Sequence, residues 1–146
     1  MLIHLGDAEG SEQYIAHWAE PGCELEMVLG NNDFFSHLER ERDLMIGKYK
    51  TLLTHGHYYH VSLSTEYLKE EARSRDFDIA MFGHTHRPFL RLTGGKVKKD
   101  LIVLNPGSLS YPRQEAGGPP IWLWRSERME RRDLRIIICR YEAEKL

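Results

Sequence analysis

The sequence predicts an α/β fold of two stacked mixed sheets with helices outside, and two observations carry that prediction. The first half alternates strand-length apolar runs with helix-patterned segments. The second half is mostly β-like, with β-branched and aromatic runs broken by Gly-Gly, Pro-Pro and charged turns. At 146 residues the chain fits one domain spanning 1–146, large enough to build a core without disulfides or a structural metal. Residues 117–120, GGPP, are too few to be more than a loop, and no internal repeat divides the chain.

In chain order, residues 2–5 read as a strand, 11–19 as a short helix with Ser11 as its N-cap, and 25–29 as a second buried strand. Residues 43–54, DLMIGKYKTLLT, read as two strands turning at Gly47 and Lys48. Leu68 and Ala72 recur at i, i+4 among charges, which predicts a surface helix over 64–75 capped by Ser62 or Ser64, followed by a strand over 78–82. After Pro88, FLRLTGGKVKKDLIVLNPGS and PIWLWRSERMERRDLRIIICRY read as antiparallel hairpins. Ile121, Trp122, Leu123 and Trp124 are expected in the core, and His4, inside the first strand, as a buried packing residue.

Twenty basic and twenty-two acidic residues leave a formal charge of -2, which argues against a nucleic-acid or membrane partner. The arginine-rich SERMERRDLR is interleaved with acids and reads as a solvated turn. Cys23 and Cys139 stand far apart, as free thiols in a reducing compartment do, and no signal peptide or span is evident, so a cytoplasmic protein is expected.

Five of the eight histidines fall in two clusters. In open α/β sheets, ligands bind where strands end and loops begin. Four predicted strands close in one vocabulary: Gly6-Asp7, Gly30-Asn31-Asn32-Asp33, His55-Gly56-His57 and Gly83-His84-Thr85-His86. A fifth loop, Asn105-Pro106-Gly107-Ser108, follows the apolar run LIVL. Singly, each has an ordinary reading. Asp7 suits a helix N-cap, Asn31 a turn, His55 a stack on Tyr58 and Tyr59, and His84 with His86 a solvated loop. Their recurrence at successive strand ends, in the order Asp, Asn, His, His, points instead to a metal site. Carboxylate, amide oxygen and imidazole without thiolate suit a borderline divalent ion.

The ordered set GD, GNxD, HGH, GHTH and NPGS resembles the calcineurin-like metallophosphoesterase superfamily, and within it the small prokaryotic phosphodiesterases. A retromer subunit poor in metal, which acts as a scaffold, is among their relatives. The likeness covers essentially the whole chain. It implies a four-layer α/β/β/α sandwich with a two-metal site at one edge, and phosphodiester hydrolysis by a metal-bound hydroxide. By position it implies that Asp7 bridges two ions, that Asn31, His55 and His84 complete the second, and that His86 belongs to the first. Asp33 is expected to orient a neighbour, and Asn31 and Asn32 to face substrate. The expected cofactor is Mn²⁺, with Fe²⁺, Zn²⁺ or Ni²⁺ as the other members of the class.

Two departures stand out. Many family members carry histidine directly after the motif Asn, where it protonates the leaving alkoxide. Here that residue is Asn32, which favours good leaving groups or another acid, and His57 is the nearest candidate. The resemblance also implies an earlier strand ending in Asp-x-His and a helix after it, which precede Gly6-Asp7 in the family and are not in this sequence. The fold is therefore expected to be N-terminally truncated by about thirty residues or more, with the first-metal position weak and the second occupied. An uncovered sheet edge would suit a homo-oligomer. The expected function is a metal-dependent phosphoesterase acting on a small phosphodiester. The alternative is a weakly active or inactive scaffold on the same fold. Tyr58, Tyr59 and His60 are expected to shape the substrate mouth.

Overall fold

The computed structural model describes residues 1–19, 21–94, 99–108, 113, 120–125 and 135–140. Strand β1 (Leu2–His4) runs parallel to β2 (Leu25–Met27), with Leu2 opposite Leu25 and His4 opposite Met27. Parallel strands need a crossover, and α1 (Glu12–Trp18) supplies it. Ser11 occupies the N-cap position without a cap hydrogen bond, because its φ/ψ of -88/7 leaves the extended region from which a hydroxyl reaches the first amides. The helix is short and Tyr14 on it is 67% exposed, so α1 adds little to the core.

The main sheet has five strands in the order β3-β4-β5-β7-β6. They are β3 (Glu41–Ile46), β4 (Tyr49–Thr54), β5 (Ile79–Phe82), β6 (Phe89–Thr93) and β7 (Leu101–Asn105). β4, β5 and β7 are mutually parallel, and antiparallel partners flank them on both sides. β5 and most of β7 are continuous apolar runs because both their faces are covered, and every residue of β5 is buried. The β3–β4 hairpin turns at Gly47 and Lys48, with Ile46 opposite Tyr49. β3 starts at Glu41, two residues before the predicted strand, because Glu41 both pairs with Thr54 and binds Arg75 and Tyr59.

Each face of this sheet carries its own apolar cluster. On one, Leu52, Ala80, Phe82, Leu101 and Val103 pack with Leu68 and Ala72 of α2 (Glu66–Ser74). On the other, Leu53, Ile79, Met81 and Leu104 pack with Leu5 and Val28, which follow β1 and β2. Helix, five-stranded sheet and two-stranded sheet therefore stack as the middle and one flank of an α/β/β/α sandwich. The N-cap of α2 is Thr65, neither Ser62 nor Ser64; the Ser64 hydroxyl accepts the Glu66 amide at 3.2 Å instead. His4 is half-buried, with its Nδ1 unpartnered.

Strands β8 (Pro120–Arg125) and β9 (Arg135–Arg140) form the expected antiparallel pair. The expectations for the side chains of Ile121, Trp122, Leu123 and Trp124, for Cys139, for the loop at 117–119 and for the turn at 126–134 lie outside the described residues. Cys23 is a free thiol. Among the described residues, no helix is long and apolar enough to cross a membrane.

Candidate metal centre

The C-terminal ends of β1, β2, β4 and β5 meet, and close backbone contact is what lets them. A Cβ on Gly30 would lie 2.1 Å from Asp7 Oδ1 and 2.2 Å from Asp7 N. One on Gly6, whose φ is +92°, would lie 2.6 Å from His55 Nδ1. Glycine before Asp7 and before Asn31 is thus a steric requirement of the site. Asp7, His84 and His86 have φ of 60°, 63° and 58°, a region that costs a non-glycine residue about 1–3 kcal/mol and persists only where neighbours over-determine it.

Asp33 supplies that restraint for Asp7. Its buried carboxylate accepts the amides of Asp7 at 2.9 Å and Gly30 at 2.7 Å through Oδ2, and that of Glu9 at 2.7 Å through Oδ1. One side chain therefore fastens the loop after β1 to the loop after β2. Asn32 fixes the other end of Asp7, donating its backbone N–H to Oδ1 at 2.9 Å and its Nδ2 to Oδ2 at 3.0 Å. The sequence reading gave Asn32 to substrate and missed this grip on Asp7.

His55 is fully buried at the end of β4. Its Nδ1 lies 2.6 Å from the Leu5 carbonyl, which can only accept, so the ring proton is assigned to Nδ1 and Nε2 carries a lone pair. Nε2 faces Asn31 Oδ1 at 3.0 Å and Asp7 Oδ2 at 3.5 Å. Asn31 donates its Nδ2 to Asn32 Oδ1 at 3.0 Å, which fixes the amide with its oxygen toward His55. In that tautomer three lone-pair-bearing atoms, Asp7 Oδ2, Asn31 Oδ1 and His55 Nε2, converge. Two ligands about 2.1 Å from one ion at tetrahedral or octahedral angles stand about 3.0–3.4 Å apart, so the measured separations fit a divalent ion. A proton on Nε2 would satisfy part of this set; an ion satisfies all of it. Among the described residues, no three His, Cys, Asp or Glu side chains form a ready metal cage.

His84, on the loop after β5, sets its ring edge-on to His55 at 5.1 Å between centroids and stands 6.1 Å from His57. His57 lies 5.3 Å from His55 and stacks on Tyr58 at 4.0 Å, and its Nδ1 is buried without a partner. Burial, then the neighbouring imidazoles, hold the pKa of both His57 and His84 below the ordinary histidine value. Neutral rings keep lone pairs for a metal, and the same shift works against His57 as a proton donor. His86 sits two residues on, where it contributes to lowering the His84 pKa, and its carbonyl accepts the Arg113 amide at 3.0 Å.

Asn105 holds this loop from below, a role the sequence reading did not assign. Fully buried, it donates Nδ2 to the Gly83 carbonyl at 2.6 Å and to Thr85 Oγ1 at 3.1 Å, and accepts the Gly107 amide at 2.7 Å. The signal was an amide closing the apolar run LIVLN. Tyr58 lies at the mouth, its face under the Arg40 guanidinium at 4.5 Å. Tyr59 turns away, donating its hydroxyl to Glu41; burial and that carboxylate raise its pKa well above the ordinary tyrosine value.

Comparison with known proteins gives the family. Residues 1–121 match the family model of the calcineurin-like phosphoesterase superfamily domain. The chain is 32% identical over 113 residues to YsnB, a probable metallophosphoesterase of Bacillus subtilis, and 31% identical over 115 residues to a probable metallophosphoesterase of Methanothermobacter thermautotrophicus. Both matches cover 77% of this chain but only 61% and 62% of those relatives, so the chain spans about three-fifths of their length. A crystal structure of a Vps29 double mutant from Entamoeba histolytica superposes with a TM-score of 0.66 at 28% identity, over 86% of this chain and 68% of that one. The chain has the metallophosphoesterase fold and belongs to the calcineurin-like phosphoesterase superfamily.

Proposed function

We propose that the protein is a metal-dependent phosphodiesterase whose ion is held by Asp7, Asn31, His55 and His84, with Mn²⁺ as its first candidate and a small phosphodiester as substrate. The observation that carries this reading is the convergence of Asn31 Oδ1 and Asp7 Oδ2 on His55 Nε2, at 3.0 and 3.5 Å, with the His55 Nδ1 taken by the Leu5 carbonyl. A divalent ion bound there supplies Lewis acidity, lowering the pKa of a coordinated water and absorbing charge on phosphoryl oxygens.

The chain's own residues set up the rest. Asp33 and Asn32 hold the Asp7 carboxylate in one orientation, the Leu5 carbonyl fixes the tautomer of His55, and Asn105 positions the loop that carries His84. This is the outer-sphere support that metal ligands need. Asn31 and Asn32 lie at the exposed side, where substrate would approach, and His86, two residues after His84, is assigned by this reading to a second, weaker ion. Asn32 cannot donate a proton at useful pKa, and His57 is held neutral, so hydrolysis is suited to esters whose leaving group departs unprotonated. A cytoplasmic setting accords with the free Cys23.

The test is metal-dependent turnover. With Mn²⁺ and a chromogenic phosphodiester at slightly alkaline pH, the native chain should exceed a His84→Ala control, and turnover no greater than that control would refute the reading. A scaffold reading on the same fold draws on one observation, the absence of a three-residue His/Cys/Asp/Glu cage among the described residues. It requires thermal stability to be indifferent to chelation, whereas the metalloenzyme reading requires a drop in Tm.

A further inference from the structure

Beside the centre, on the Asn32 side, lies an open cavity of about 400 Å³, a size suited to one small organic group. Asn32 is part of its wall while both its amide nitrogens hold Asp7, so the cavity begins where the phosphoryl group would be held. The rest of the wall is of two kinds. Phe34 and Phe35 are 80% and 98% exposed, two adjacent aromatic rings left in water. Glu9 and Glu12 add carboxylates, and no lysine, arginine or histidine appears among the described lining residues. Asp33 also borders the cavity, but three backbone amides already take its oxygens.

This wall cannot be the phosphate site, because a phosphodiester anion would meet carboxylates with no cation to balance them. It suits the other part of the substrate. Aromatic faces offer stacking area, and the two glutamates repel any second negative charge within a Debye length, about 8 Å. The wall also offers no proton to a departing oxygen. An aliphatic alkoxide is about as basic as hydroxide and leaves poorly without one, whereas a phenolate, with a conjugate acid of pKa about 10, leaves unaided.

We propose that this cavity seats the leaving-group arm of the substrate and selects an aromatic, phenolic arm that is uncharged or cationic over one that is aliphatic or anionic. The inference rests on the phosphodiesterase reading of the adjacent centre. In the step it serves, water forms a new P–O bond and the P–O bond to the aryl group breaks with its electron pair leaving on the phenolate. The products are a phosphate monoester and a phenol, and the water's protons pass to solvent or to the phenolate according to pH.

The test compares methyl 4-nitrophenyl phosphate with the same diester carrying a carboxylate on its aryl ring, both with Mn²⁺. Native protein should prefer the uncharged arm by about tenfold or more in kcat/KM, and Phe35→Ala should lose about tenfold on that arm. The Glu9→Gln, Glu12→Gln double variant should narrow the gap between the two arms. Turnover that persists with neither change altering it overturns the inference and leaves the phosphodiesterase reading standing. Calorimetry with a non-hydrolysable methyl aryl phosphonate separates the two. Binding that Phe35→Ala weakens, in a protein without turnover, supports the cavity and sinks the enzyme. Sedimentation that finds the native chain self-associated, and Phe35→Ala monomeric, assigns the rings to a chain–chain contact and overturns the inference.

Discussion

Asp33→Asn is the sharpest single perturbation of the centre, because it keeps the side chain's shape and changes only its capacity to accept. The native carboxylate takes two amides on Oδ2 and one on Oδ1, with all three distances at or below 2.9 Å. An asparagine retains one oxygen and turns an NH₂ group toward at least one amide donor. Losing one hydrogen bond to a charged acceptor costs about 2 kcal/mol, and weakening the other two to neutral strength costs about 0.5 kcal/mol each, or about 3 kcal/mol together. For a domain of this size that is roughly 6–12 °C in Tm. The assay is thermal unfolding by circular dichroism with and without Mn²⁺, alongside a metal titration. Both stability and metal affinity should fall, since the amide of Asp7 is among those released. A Tm within about 2 °C of native, or undiminished metal affinity, would show that the three amides find other partners and that Asp33 does not position Asp7.

Gly30→Ala should cost about 3 kcal/mol and abolish tight metal binding, because the new methyl meets Asp7 backbone and carboxylate atoms at 2.1–2.9 Å. Gly22→Ala, at a φ of +87° that Gly30 does not share but with no atom within 4 Å of its added Cβ, should cost only about 1 kcal/mol, so equal losses at the two positions would contradict the steric account. In chelated protein, His4, His57 and His84 all have pKa values below the ordinary 6.5, burial being the largest cause for each. Between those lowered values and 6.5 the unfolded chain binds more protons than the folded one. Stability is therefore full above pH 6.5 and lost as pH falls through that window. A Tm that stays level from pH 7.5 to 5.5 would rule this linkage out.

The parts of the site that were legible in the sequence are those determined locally. A metal-type donor beside a glycine at the end of a strand-length apolar run announces a strand that delivers a side chain: Asp7, Asn31 and His84 each follow a glycine, and His55 precedes one. The hairpin at Gly47 and Lys48 was equally local. What could not be read depends on residues distant in sequence. The three amides bound by Asp33 come from Gly30, three residues away, and from Asp7 and Glu9, 26 and 24 residues away. The early start of β3 reflects Arg75, 34 residues beyond Glu41. The cap of α2 fell on Thr65, beyond both Ser62 and Ser64, because these hydroxyl residues are chemically near-equivalent and only the backbone decides among them. The two hydrogen bonds from Asn32 to the Asp7 carboxylate needed both loops in place.

The Leu5–His55 hydrogen bond has a further consequence when the two sheets are treated as separate units of stability. Asp7 and Asn31 belong to the loops of the two-stranded sheet, while His55 and His84 belong to the five-stranded one. Two strands alone are too small to persist in water, so β1 and β2 stay folded only while docked on Leu53, Ile79, Met81 and Leu104. An ion shared by ligands from both units would act as a clasp across that seam. Its affinity then measures the docking equilibrium as much as the quality of the ligands, and amide exchange in β1 and β2 should slow on metal addition well before exchange in β5 does.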